Sequence, residues 1–146
     1  MAMNASPGAS YGWWARIGFI TPSPGHENNC YEFYLIAPEG VTICLTSLRV
    51  MDLTQEQYDS ALERLAPAMA EMEMRKVDAV VQAGVPLIVT HGWGFEEKLR
   101  EQISKITKTP LATDIGSCIK AMQVLEMKRV VMLTPFDDAM HGTLTR

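Results

Sequence analysis

Apolar positions along this chain follow two alternating patterns, short unbroken runs and longer stretches with a helical period. The short runs are residues 16–21 (RIGFIT), 41–46 (VTICLT), 78–83 (DAVVQA), 110–113 and 129–134 (RVVMLT). Their β-branched, continuously apolar character predicts five strands buried on both faces, as in a parallel sheet. The periodic stretches predict helices. Thr54 and Gln57 form a capping-box pattern ahead of a stripe at Tyr58, Leu62, Leu65, Met69 and Met72, which marks one apolar helix face. Pro67 falls inside that stripe, so a kink or break is predicted near residues 63–67. Phe95, Leu99, Ile103 and Ile106 make a second stripe, with Glu96 and Glu97 at its start and Lys105 and Lys108 near its end. That charge order suits the helix dipole. Ile115, Ile119, Met122 and Leu125 make the third.

Strands alternating with helices predict right-handed crossovers and a flavodoxin-like α/β domain, its parallel sheet covered by helices on both faces. One internal repeat changes this picture. The heptapeptide RIGFITP at residues 16–22 returns as RVVMLTP at residues 129–135. Two buried strands drawing on one apolar alphabet would give such a likeness, and so would a duplicated unit.

Composition sets bounds on function. The chain has 146 residues, 47% apolar and 21% charged, the balance of an ordinary globular domain rather than a disordered one. A net charge of −4 supplies no basic field for nucleic acid or an anionic membrane. No apolar run approaches the length of a membrane span. Residues 1–15 lack the features of a signal peptide and are expected to form a flexible leader. Trp13 and Trp14 are placed to pack where the first strand begins. Cys30, Cys44 and Cys118 are odd in number and widely spaced, which indicates neither a disulfide framework nor a zinc site. The expectation is a reducing, cytoplasmic setting.

In an open parallel sheet, ligands bind beyond the carboxyl ends of the strands. The segments there are residues 21–29, 84–86 with 90–94, 113–117 and 135–138, rich in Gly, Pro, hydroxyls and Asn. They suit a small anion held by backbone N–H groups, although α/β loops need the same residues for turns. Gly92-Trp93-Gly94 fails the dinucleotide spacing, and no Walker loop is present. His26 and His91 are candidate acid/base groups, with Glu27 and Asp114 similarly placed. Each has the plainer alternative of a local hydrogen bond. Cys44 and Cys118 read as small core residues, and Cys30 near the first loop has no evident activating partner.

The ordered set RIGFITPS, APEGVTI, Arg49, VDAVVQAG, TPLATD and MKRVVMLTPF resembles the aspartate/glutamate racemase superfamily. The likeness is nearest to its maleate isomerase and arylmalonate decarboxylase branch and spans residues 16–136. It implies the first of two pseudo-symmetric α/β domains, with an active site in the cleft between them and no metal or organic cofactor. Racemases and isomerases of that superfamily use two cysteines, one from each half. Arylmalonate decarboxylases keep the second and have glycine at the first position.

Carried onto this chain, the first-cysteine position falls at Gly84, as in the decarboxylases. Pro22 and Ser23 match the first carboxylate-binding loop, and Asn28 stands near an asparagine of the isomerases. Thr113 matches the threonine ahead of the third helix. Thr134 and Phe136 match a segment that ends in tyrosine in the decarboxylases, so Phe136 lacks that phenolic donor. Val85 and Pro86 replace a hydroxyl-bearing pair, and Pro86 offers no N–H, which weakens the oxyanion pocket. The implied organisation is a leader at 1–15, an N-terminal domain at 16–128, and at 129–146 the first strand of a second domain that this sequence does not complete.

The function so implied is the N-terminal part of a cofactor-independent decarboxylase or isomerase. Its substrate would be a small carboxylate handled through an enediolate-type intermediate. Both catalytic cysteines are lacking, so the chain alone is expected to be inactive, with a homodimer or another chain supplying the second domain. The rival is a non-catalytic α/β domain that binds a small anion or a partner. A receiver-type signalling domain is disfavoured, because Pro22-Ser23 and Gly84 stand where acidic residues would be needed.

Overall fold

The computed structural model describes residues 11–25 and 27–145, with only the backbone at residues 27 and 139. Most of the expected leader, residues 1–10, and the candidate His26 lie outside the described residues, as does the side chain of Glu27.

Four parallel strands form the sheet: β1 (Ala15–Thr21), β2 (Val41–Ser47), β3 (Ala79–Gln82) and β4 (Leu111–Thr113), in the order β2-β1-β3-β4. Ile17 pairs with Ile43 on one side and with Ala79 on the other. The central position of β1 and the reversal of direction around it give the sheet its flavodoxin-like order. The chain reaches β1 by Trp14, whose N–H donates to Gly40 O at 3.1 Å, and the Trp13 ring lies against Gly40. Trp13 thus makes the packing expected at the entry to the first strand, whereas Trp14 contributes a backbone bond and leaves its ring largely exposed.

Helix α1 (Glu27–Ile36) joins β1 to β2. It was not foreseen, because its apolar residues are spread around the axis and show no stripe. Tyr31, Leu35 and Ile36 accordingly remain exposed. Helix α2 (Gln55–Met74) begins as the capping pattern predicts, with Gln57 N–H donating to Thr54 Oγ1 at 3.3 Å. The break expected near residues 63–67 does not occur. The helix runs through Pro67, which is exposed on its outer side, while Leu65, Met69 and Met72 bury the inner face. A proline costs a helix one ladder bond, and burial of this face against the sheet outweighs that cost.

Helices α3 (Val85–Val89), α4 (Phe95–Ser104) and α5 (Asp114–Val124) follow, and α6 (Asp138–Leu144) closes the described chain. Leu87, Ile88, Leu99 and Ile103 join the core around Ile20 and Val80. The third apolar stripe behaves differently from expectation. Of its four members only Ile115 packs against the core, and Leu125 is exposed beyond the helix end. Residues 129–134, expected as a fifth strand, pair with no strand in this structure. Val131 is 99% exposed and Leu133 96%. The apolar run that read as a buried strand has no neighbour here to bury it.

Candidate functional site

Three loops leave the carboxyl edge of the sheet side by side, and a buried polar row underlies them. Thr21, Gln82 and Thr113, at the ends of β1, β3 and β4, are all fully buried. Thr21 Oγ1 donates to Ser23 O at 3.1 Å, which turns the chain over as it leaves β1. Thr113 Oγ1 accepts the Gly116 N–H at 3.0 Å and so caps α5. Gln82 Nε2 donates to Ala83 O, while its Oε1 is buried without a partner among the described residues.

The first loop is held by the chain that follows β2. Leu48 N–H donates to Thr21 O at 2.8 Å and Val50 N–H to Pro22 O at 2.7 Å. Between them Arg49 sits at φ 57° with its side chain exposed. A non-glycine residue there carries strain; the bond from its N–H to Ser47 Oγ at 3.0 Å helps to hold it. Arg49 is thereby brought beside the Pro22 turn.

The second loop is built on Gly84, at φ 106° and ψ 84°, a conformation that strongly favours glycine. A Cβ at Gly84 would lie 2.8 Å from Pro22 Cγ, so the first and second loops are in direct contact. The third loop meets them through Asp114. Gly84 N–H donates to Asp114 Oδ2 at 2.7 Å, and Ile115 N–H donates to Asp114 Oδ1 at 2.7 Å. Burial pushes the Asp114 carboxyl above its ordinary value, against the pull of these N–H groups.

The structure therefore brings Pro22, Gly84, Val85 and Asp114 together. Ser23 follows directly on the Pro22 turn, and Pro86 occupies the first turn of α3, where its missing N–H is tolerated. Thr113 lies beneath, its hydroxyl taken by the α5 cap. Asn28 is exposed in the first turn of α1. Thr134 and Phe136 lie on the segment before α6. Thr134 Oγ1 accepts the Phe136 N–H at 3.3 Å and is hydrogen-bonded to His141 Nε2. Asp114 was a minor candidate in the sequence and is the residue that ties two loops together. The signal for it was its position one residue past a strand end, facing a glycine loop.

His91 is engaged away from this cluster. Its Nε2 lies 3.0 Å from Asp59 Oδ1, its Nδ1 3.0 Å from Leu87 O, and its ring stacks on Phe95. Hydrogen bonds from Gln55 and His91 hold Asp59 below its ordinary value. This pair ties α2 to the turn after α3, the local role that competed with acid/base chemistry. Among the cysteines, Cys44 is buried in β2 as expected, whereas Cys118 is exposed on α5 and is not a core residue. Cys30 is half-buried on α1. Among the described residues no cluster of side chains suits a metal ion, and no helix is long and apolar enough to cross a membrane.

Asp114 gives this site a pH signature. With its carboxyl raised above 3.8, the folded protein binds more protons than the unfolded chain as pH climbs past that value. The stability it contributes is full below pH 3.8 and is lost as pH rises through the folded pKa. Asp114→Asn removes that dependence. Urea unfolding from pH 3.5 to 7 is expected to show the variant gaining on the wild type as pH rises. A constant difference across the range would mean that Asp114 titrates normally.

The fold has parallels among known proteins. The maleate isomerase of Geobacillus stearothermophilus is 23% identical over 136 residues, covering 83% of this chain and 53% of that protein. The crystal structure of the maleate isomerase Iso from Pseudomonas putida S16 superposes with a TM-score of 0.77 at 23% identity, covering 89% of this chain and 57% of that one. The crystal structure of an arylmalonate decarboxylase superposes with a TM-score of 0.72 at 20% identity, over 88% of this chain and 55% of the other. The family model of arylmalonate decarboxylase matches residues 17–146, and the chain belongs to that family, in the maleate isomerase/arylmalonate decarboxylase branch of the aspartate/glutamate racemase superfamily. It spans about half the length of the relatives it matches.

Proposed function

We propose that this chain provides the N-terminal half of a cofactor-independent decarboxylase or isomerase site for small carboxylic acids. The reaction passes through an enediolate-type intermediate. The observation that supports it most directly is the meeting of the Pro22 and Gly84 loops, with the Gly84 N–H turned toward a carboxylate. Donors fixed in that way stabilise a carboxylate or the enediolate formed when it loses carbon dioxide or a proton. Pro22 and Ser23 lie on the loop that meets Gly84, and Arg49 stands beside them with its positive charge exposed. Residues 129–146, carrying Thr134 and Phe136, belong on this reading to the second structural unit, which brings the acid/base cysteine.

The test is a titration of isotopically labelled protein with malonate, followed by amide shifts, together with assays on maleate and phenylmalonate. The expected result is weak binding centred on Ser23, Gly84 and Val85 and no turnover of either compound. Shifts confined to the opposite edge of the sheet, around Arg16 and Lys76, would remove the basis for this reading.

A further inference from the structure

We propose that Asp114 is a built-in occupant of this site: its carboxylate holds the Gly84 N–H group at the start of the second loop, so an outside carboxylate binds there only by displacing it. This inference rests on the function proposed above and names the residue that sets which ligands the site accepts.

The geometry supports occupancy rather than chance proximity. At 2.7 Å, the Gly84 N–H bond to Oδ2 is at the short end of the charge-assisted range. The other oxygen is fixed by its neighbour's N–H, again at 2.7 Å, so the carboxylate is held at both ends. Asp114 is also locked in the first turn of α5, whose start is pinned by the fully buried Thr113. A ligand carboxylate would therefore compete with a group that is already at hydrogen-bonding distance and costs no association entropy. The buried, unpartnered Oε1 of Gln82 lies at the same strand end. An acceptor there adds no donor to help a second anion. The site in its present form disfavours carboxylates that bind through the Gly84 N–H alone, and favours substrates with further contacts on the Pro22 and Arg49 side.

Size-matched replacement tests this. Asp114→Gly removes the two-carbon carboxymethyl group that acetate can restore, and Asp114→Ala removes the carboxylate that formate can restore. Amide shifts of wild type and both variants are recorded against sodium acetate and sodium formate, with sodium chloride as the ionic-strength control. Acetate is expected to bind Asp114→Gly at least about tenfold more tightly than wild type, with Gly84 and Val85 shifting most, as expected for regaining a charged hydrogen-bond partner. Formate should do the same for Asp114→Ala, and this pair decides the matter if the glycine variant does not fold.

Equal affinity of wild type and variants, with Gly84 and Val85 shifting in both, would overturn the occupancy of Asp114 and leave the proposed function standing. Variants that bind neither anion at Gly84 and Val85 would overturn both, since the donors would then not form an anion site at all.

Discussion

Gly84→Cys is expected to lower folding stability by about 2–4 kcal/mol, from backbone strain and overpacking together. The backbone at Gly84 has φ 106°, and any Cβ placed there meets Pro22 Cγ at 2.8 Å. The two costs have different origins and can be separated. Pro22→Ala removes the Cγ contact and leaves the dihedral strain. In a double-mutant cycle it should therefore recover about 1 kcal/mol of the loss in the cysteine background, while costing stability in the wild type. Chemical unfolding of the four proteins reads both quantities. The substitution matters for function because this is the position at which the superfamily resemblance implies a first catalytic cysteine. A thiol installed here arrives with a distorted loop and a disturbed Asp114 bond, so Gly84→Cys should not by itself create racemase chemistry. A cost below about 0.5 kcal/mol, the range of an unconstrained surface change, would show that the loop has another conformation open to it.

How far the sequence discloses this molecule depends on whether a feature is periodic or relational. The four paired strands and the inner face of α2 are legible because burial on a sheet leaves a pattern in every residue. Pro67 misleads, since a local rule about helix breaking is overridden by the apolar face of Leu65, Met69 and Met72. Helix α1 is invisible because Tyr31, Leu35 and Ile36 are exposed and leave no stripe to detect. At the candidate site, strand-end position pointed to Pro22, Gly84 and Thr113. It could not show that the Thr113 hydroxyl is taken by a helix cap, nor that Asp114 reaches back across thirty residues to the Gly84 N–H. Such bonds depend on the relative placement of two loops, which no single segment encodes. The repeat RVVMLTP shows the same limit. Its residues have the composition of a buried strand, yet whether they form one depends on whether another strand pairs with them.

The unpaired state of this run among the described residues carries the second large effect. Val131 and Leu133 are almost fully exposed, and Val124 and Leu125 add apolar surface just before them. An unpaired apolar segment offers both a hydrophobic patch and free backbone groups for association. The 146-residue protein is accordingly expected to form dimers or larger species at about 100 µM in sedimentation velocity, a concentration range in which such surfaces associate. Val131→Lys with Leu133→Lys should shift it to monomer and change unfolding stability by no more than about 0.5 kcal/mol, since neither side chain is buried. Ending the chain after Lys128 is a harsher version of the same test. It also removes α6, which packs against α3, and Leu144, which lines an apolar groove with Ile88 and Ile119. The truncated protein should gain solubility and lose some stability, with the four-stranded sheet intact. If the two lysines instead unfold the protein, the segment at 129–134 is buried in solution as an integral fifth strand. The assignment of residues 129–146 to a second unit would then have to be abandoned.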